Sequence, residues 1–194
     1  EDDLKRGVLT GQVLAHHQPI IDLKTGRLAG FEALARWERP GFGLLGPDDF
    51  MSMANELDLI GAIGDSVRSS AIADLSAWHV AHPELSQLYV AANATAGELA
   101  HPGFADGLIE EVTRSGLPRG WFRLEVNETE IMANPDQALT TLKQIKAAGI
   151  PLVLDDFGTG YSSLARLDRF PFDVLKIDQY FVRAMITDPS ARAI

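Results

Sequence analysis

Asn93, Glu125 and Asp155 recur at intervals of about thirty residues, the length of one strand–helix unit, and each stands at the end of a short apolar run. Strands alternating with helices at that period require a parallel sheet. Equivalent strand ends are therefore used repeatedly, and in a barrel those ends converge on one mouth. The third run, Pro151-Leu152-Val153-Leu154-Asp155-Asp156-Phe157-Gly158-Thr159-Gly160, is the most specific. Val153 and Leu154 read as a parallel strand covered on both faces, because such strands are almost continuously apolar. Two adjacent carboxylates at its carboxyl end repel one another unless a positive partner holds them, and a divalent cation is the simplest such partner.

The rest of the chain fits this frame with one departure. Gln12–Ile21 and Leu28–Trp37 read as strands joined by a turn, Asp22 to Arg27, in which Gly26 supplies a positive φ. A hairpin at this point differs from a simple strand–helix barrel. Asp3 to Leu9, before it, reads as the end of a helix leading in from upstream. Helices are predicted over Pro47–Leu59 and over Asp65–Val80, where Val67, Ala71, Leu75 and Trp78 recur at helical spacing. Leu88–Asn93 is a strand. Pro102–Ser115 is a helix stopped by Gly116 and Pro118, and Trp121–Val126 is the next strand. Asn134 is the expected cap of a helix with Pro135 at its first position, Gln137 able to close a capping box, and Gly149 at its end. Strand Leu152–Asp155 leads into a loop with one short helix through Leu167, then strand Asp173–Ile177 and a helix from about Asp178.

With 194 residues the chain has room for one sizeable domain and a buried core. Its formal net charge of −10 argues against a nucleic acid polymer as partner, though not against a small phosphorylated ligand. There is no cysteine, hence no disulfide, thiolate site or cysteine nucleophile, a usage that fits a cytoplasmic location. No apolar stretch is long enough to span a bilayer, and no membrane contact by this domain is expected.

The polar residues at the predicted strand ends are Glu32, Arg36, Asn93, Glu125, Asp155, Asp156 and Lys176. Carboxylates with one amide oxygen are hard ligands suited to Mg²⁺ or Mn²⁺, and two such ions form the usual clamp for phosphodiester hydrolysis. Lys176, inside a strand, needs an anion or a bound water as partner. Taken singly, each residue has a plainer reading. Asn93 suits a turn or cap, Glu32 a solvated strand edge, and Glu125 and Glu128 the start of a helix. Arg36 and Lys176 suit structural ion pairs. Gly158-Thr159-Gly160 lacks the Gly-Lys-Ser/Thr ending of a phosphate-cradling loop. The five histidines show no metal spacing, and Trp37, Trp78 and Trp121 read as core.

Phe31-Glu32-Ala33-Leu34, Leu124-Glu125-Val126-Asn127-Glu128, Asp155 through Leu164, and Val174-Leu175-Lys176-Ile177-Asp178 together resemble the EAL domain, a family of bacterial cyclic di-GMP phosphodiesterases. The ordered set, from Gln18-Pro19-Ile20 onward, is specific where any one motif is weak. The resemblance implies a modified TIM (β/α)8 barrel with an antiparallel first strand, and hydrolysis of cyclic di-GMP to linear pGpG. It implies Glu32, Asn93, Glu125, Asp155 and Asp156 as ligands of Mg²⁺ or Mn²⁺, and Lys176 as the residue that positions or polarises the attacking water. It gives Glu128 the anchoring of the Asp156-to-Ser163 loop, and it implies contacts to the ligand from Gln18, Leu34 and Arg36, with Arg36 on a phosphate. A homodimer and an upstream regulatory domain are further family expectations.

The departures are specific. Family members continue into further strand–helix units carrying Ala-Glu-Gly-Val-Glu and Gln-Gly-Tyr/Phe stretches, which are absent here, and a full barrel runs to about 250 residues. Residues 1–194 are therefore expected to be a single EAL-type domain, incomplete at its C-terminus, within a longer multidomain protein, and a barrel short of its last strands exposes an apolar edge. Asn127 stands in place of threonine, Ala35 in place of leucine, and Ala94-Thr95 in place of Leu-Ser; Asn55 and Leu57 depart from the usual Glu-Glu-Thr helix. None removes an implied ligand. Two alternatives stay open: a catalytically inactive receptor for cyclic di-GMP, and a two-metal barrel hydrolase of unrelated substrate.

Overall fold

The computed structural model describes residues 1–158 and 168–187. After helix α1 (Asp2–Leu9), strands β1 (Val13–Ile21) and β2 (Leu28–Arg39) form the expected antiparallel hairpin, paired from Val13 with Trp37 to Ile21 with Leu28. Asp22 builds the turn: its Oδ1 accepts from the backbone N–H of Lys24 and of Thr25 at 2.8 and 2.9 Å, and Gly26 has φ +70°. β2 runs on past Trp37 to Arg39 and folds back into a short strand, β3 (Gly43–Leu45), that the sequence reading did not include. The Arg39 guanidinium holds this reversal together by lying 3.9 Å above the Phe42 ring and 5.2 Å from that of Trp37.

Helices and strands then alternate: α2 (Pro47–Glu56), α3 (Ile60–Ala81), β4 (Tyr89–Asn93), α4 (Ala96–Ala100), α5 (Phe104–Arg114), β5 (Phe122–Asn127), α6 (Glu128–Ala133), α7 (Pro135–Ala147), β6 (Leu152–Phe157), β7 (Val174–Ile177) and α8 (Gln179–Thr187). β2, β4, β5, β6 and β7 pair in parallel in that order, with β1 antiparallel on the outer side of β2. α3 starts at Ile60 rather than Asp65, since Ile63 extends the buried stripe of Val67, Ala71 and Leu75 by one turn. α4 and α6 were not foreseen. Each is too short to show a period and is set by its cap: Thr95 Oγ1 accepts from Glu98 N, and Asn127 Oδ1 from Glu130 N. α7 has the expected cap, Asn134, but the Gln137 side chain goes to Thr141 Oγ1 instead of closing a capping box. The short helix predicted through Leu167 lies outside the described residues.

Period-two alternation divides the strand residues between two environments. Val90, Ala92, Leu124, Val126, Leu152 and Leu154 form the core under the helices with Ile63, Leu75, Leu108, Leu142 and Ile145, each under a twentieth exposed. The alternate residues, among them Glu32, Asn93, Glu125, Asp155 and Lys176, therefore share the opposite face. Leu152, Val153 and Leu154 are all buried, as expected of a strand covered on both sides. β7, at the edge of the described sheet, exposes Val174, Leu175 and Ile177. Lys176 on β7 nevertheless touches Glu32 on β2 at 2.9 Å. In a flat sheet those strands, four steps apart, would be about 19 Å from one another, so the sheet curls strongly toward closure, as in a TIM-type barrel.

Candidate metal centre

Lys176 brings three strands together. Its Nζ donates to Glu125 Oε2 at 2.7 Å, Glu32 Oε2 at 2.9 Å and Asp155 Oδ2 at 2.9 Å. Asn93 Nδ2 donates to Glu32 Oε1 at 3.4 Å, an orientation that leaves Asn93 Oδ1 as the oxygen donor of that side chain. Register explains the gathering: Asn93 pairs with Glu125, and Asn127, the residue two beyond Glu125, pairs with Asp155. Oxygens of Glu32, Glu125 and Asp155 all lie within 4.8 Å of one another.

The cluster is short of positive charge. Burial pushes Glu125 up to about 7; the bond and charge of Lys176 oppose that rise, while Glu32 and Asp155 add to it. For Lys176, burial pulls the pKa down, but its hydrogen bonds to Glu125, Glu32 and Asp155 and the charge of Glu125 win and hold it above its ordinary value. The ammonium therefore stays charged among three carboxylates that it cannot neutralise alone. An all-oxygen donor set with excess negative charge fits a hard divalent cation.

Asp156 stands apart from that group. Its backbone is left-handed, φ +52°, and its N–H donates to Asp155 Oδ1 at 2.9 Å. Burial raises its pKa first, then the charges of Asp155 and Asp178 and a side-chain hydrogen bond with Asp178, with Lys176 opposing. Asp178 was not singled out from the sequence as a site residue; it lies two residues beyond Lys176, just past the end of β7. Gly158 follows at φ +101°, and a Cβ there would meet the Phe181 ring at 2.5 Å, so the segment can pass this close to α8 only with glycine.

Gln18 pairs with Glu32 across the hairpin, Leu34 with His16, and Arg36 with Leu14. Glu32, Leu34 and Arg36 alternate along one face of β2, with Arg36 about 13 Å from Glu32 along the strand. The Arg36 Nη1 donates to the carbonyl of Ala35 at 2.7 Å, so the guanidinium folds back on its own strand. Glu128, first residue of α6, is buried at 4% exposure beside the end of β5. The part of its expected loop partner beyond Gly158 lies outside the described residues.

Comparison with known proteins follows the same residues. The sequence model of the EAL domain matches residues 1–194. The cyclic di-GMP phosphodiesterase NbdA of Pseudomonas aeruginosa is 39% identical over 94% of this chain, which spans 23% of NbdA. An uncharacterised signalling protein of Caulobacter vibrioides is 37% identical over 99% of this chain and again 23% of the relative. The solved structure of the PaMucR phosphodiesterase in complex with c-di-GMP superposes with a TM-score of 0.88 at 35% identity, covering 99% of this chain and 77% of that one. The chain thus spans about a quarter of the length of these two curated relatives. With its full length matched, and its TIM-barrel-like sheet superposing on a solved member, this chain belongs to the EAL domain family.

Proposed function

We propose that this domain is a metal-dependent phosphodiesterase that hydrolyses cyclic di-GMP to linear pGpG. The observation that carries the reading is the convergence of Glu32, Glu125 and Asp155 on Lys176 with the Asn93 amide alongside. NbdA is named a cyclic di-GMP phosphodiesterase and the PaMucR structure is a c-di-GMP complex, which supports the same substrate here.

Glu32, Asn93, Glu125 and Asp155 would hold Mg²⁺ or Mn²⁺, and Asp156 would complete a second position. The cations supply Lewis acidity toward a phosphoryl oxygen and lower the pKa of water. Lys176, kept positive by its carboxylates, orients the attacking water and places positive charge beside the reacting phosphate. Arg36, once turned from the Ala35 carbonyl, pairs with a phosphate, and Gln18 and Leu34 contact the ligand from the hairpin. Glu128 would anchor the loop that begins at Asp156, whose part beyond Gly158 lies outside the described residues. The domain is expected to act as a homodimer, under an upstream regulatory domain, in the cytoplasm.

A second reading, a catalytically inactive receptor for cyclic di-GMP, is favoured by one observation: among the described residues the carboxylate oxygens that lie within 4.8 Å of one another are those of Glu32, Glu125 and Asp155, without Asp156. Incubating the full-length protein with cyclic di-GMP, with and without Mn²⁺ or Mg²⁺, and separating the products by chromatography decides between them. Metal-dependent pGpG supports the enzyme. Tight binding without turnover supports the receptor, and neither binding nor turnover refutes both.

A further inference from the structure

Behind the metal-centre residues lies an ion cluster that the reaction does not use, with Arg68 and Glu98 buried and Asp65 exposed at its rim. Arg68 on α3 is 2% exposed, and its Nη2 lies 2.5 Å from Asp65 Oδ1 and 2.6 Å from Glu98 Oε1, the Glu98 side chain being 6% exposed. The other guanidinium nitrogen, Nη1, donates to the backbone carbonyl of Asn93 at 3.4 Å. Asn93 is the last residue of β4, where the strand ladder ends and a carbonyl needs another donor. We infer that Arg68 is a positioning residue for the metal centre, fixing the backbone of Asn93 so that its side-chain amide meets the carboxylates.

The surrounding contacts all bear on the same turn. Glu98 Oε2 accepts from Thr95 N at 2.9 Å and from Thr95 Oγ1 at 2.8 Å, so the carboxylate that holds Arg68 also closes the chain just after Asn93. From the other side, Glu130 accepts from the N–H of Ala96, and its own N–H donates to Asn127 Oδ1 at 2.8 Å, tying the turn to the end of β5. Ala94 N donates to the carbonyl of Glu125 at 2.8 Å. The turn between β4 and α4 is thus clamped from α3, β5 and α6. The close approach is built into the helix: a Cβ at Gly64 would overlap Glu98 Oε1 and come within 2.9 Å of Arg68 Nη1. The Phe104 ring, its centroid 5.0 Å from Arg68 Cζ, covers the remaining side.

The energetics point to placement rather than stability. A buried ion pair adds little stability over apolar residues of the same volume, because both charges lose their water. What the guanidinium adds is a rigid fork that addresses two carboxylates and a carbonyl together, which lysine cannot do. Groups that orient metal ligands in this way typically change metal affinity by about 10–100-fold when lost.

The inference rests on the metal-centre reading, and one titration separates the two. Mn²⁺ is added to the full-length protein without substrate and the unbound ion is read by its electron paramagnetic resonance signal, for wild type, Arg68→Lys and Glu98→Gln. Lysine keeps the charge opposite Glu98 but cannot also span to Asn93. The expected result for Arg68→Lys is Mn²⁺ affinity about tenfold weaker, with a metal-free melting temperature close to wild type. Glu98→Gln, which keeps an acceptor for Thr95 but loosens the guanidinium, weakens Mn²⁺ in the same direction by less, and it serves if the lysine variant does not fold. Wild-type affinity in the folded variants overturns the inference, as does a loss that only tracks a falling melting temperature. Wild-type protein that binds no Mn²⁺ overturns the metal-centre reading and this inference with it.

Discussion

Lys176 Nζ lies 2.7 Å from Glu125 Oε2, and it is the only cation that hydrogen-bonds to this carboxylate among the described residues, although Glu32 and Asp155 surround it as well. With the Glu125 side chain 2% exposed, that contact is what makes its burial tolerable without a metal. Lys176→Met leaves three carboxylates facing one another. The metal-free domain should lose about 3 kcal/mol of unfolding free energy, the low end for a broken buried pair because Lys176 itself is 29% exposed. Saturating Mn²⁺ should restore part of it by binding the folded state. Urea unfolding in chelator and in Mn²⁺ tests this; equal stability of variant and wild type in chelator would refute it.

Glu32→Ala removes an oxygen donor from β2 and the partner of the Asn93 amide. Turnover of cyclic di-GMP should fall by about a thousandfold, the scale of losing one transition-state stabilising group. Circular dichroism should stay that of the wild type, because Glu32 lies outside the apolar core. Substantial hydrolysis by a folded variant would sink the assignment of Glu32 as a ligand.

Much of this centre was legible in the sequence, for an identifiable reason. Asn93, Glu125 and Asp155 follow apolar runs at a regular interval; Asn93 ends β4 while Glu125 and Asp155 lie two residues before the ends of β5 and β6, and parallel pairing in register brings them together. Lys176 was legible because a lysine within an apolar strand needs an anion. Asp156 is implied as a ligand by the resemblance; its left-handed backbone, which a strand pattern does not foretell, places it where the charges of Asp155, Asp178 and Lys176 all act on it. Arg68 could not be singled out: on its helix it is one charged residue next to the apolar stripe, and its partners Glu98 and Asn93 are brought near only by tertiary packing. β3, α4 and α6 were missed because local hydrogen bonds, not periodicity, define elements of that length.

Gly158→Ala tests the path between Asp156 and α8. Alanine is strained at φ +101°, and its Cβ collides with Phe181. A cost of about 2 kcal/mol is expected, the range for a side chain forced into a sparsely populated backbone region. Adding Phe181→Ala removes the collision but not the backbone strain, so the double variant should recover part of the loss. Thermal melting of the two variants measures this; an unstrained single variant would show that the segment can detach from α8 at no cost.

His17 gives the domain a pH-dependent weakness. Its ring packs edge-on to Trp78 at 4.7 Å and Phe31 at 6.0 Å, its side chain is 13% exposed, and Nε2 is 3.7 Å from Asp74 Oδ2. Burial lowers its pKa and outweighs the attraction of Asp74; His16 lowers it further. The folded state therefore prefers the neutral ring more than the unfolded state does. The contribution of His17 is fully present above the unfolded value of about 6.5 and is lost as pH falls below it toward the folded pKa. His79, which burial lowers in the same sense beside Trp121, contributes independently. Between pH 7.5 and 5.5 the urea midpoint of wild type should consequently drop by more than that of His17→Gln, while the other titrating groups act equally in both. Parallel pH dependences in the two proteins would show that His17 keeps its ordinary affinity for the proton in the folded state.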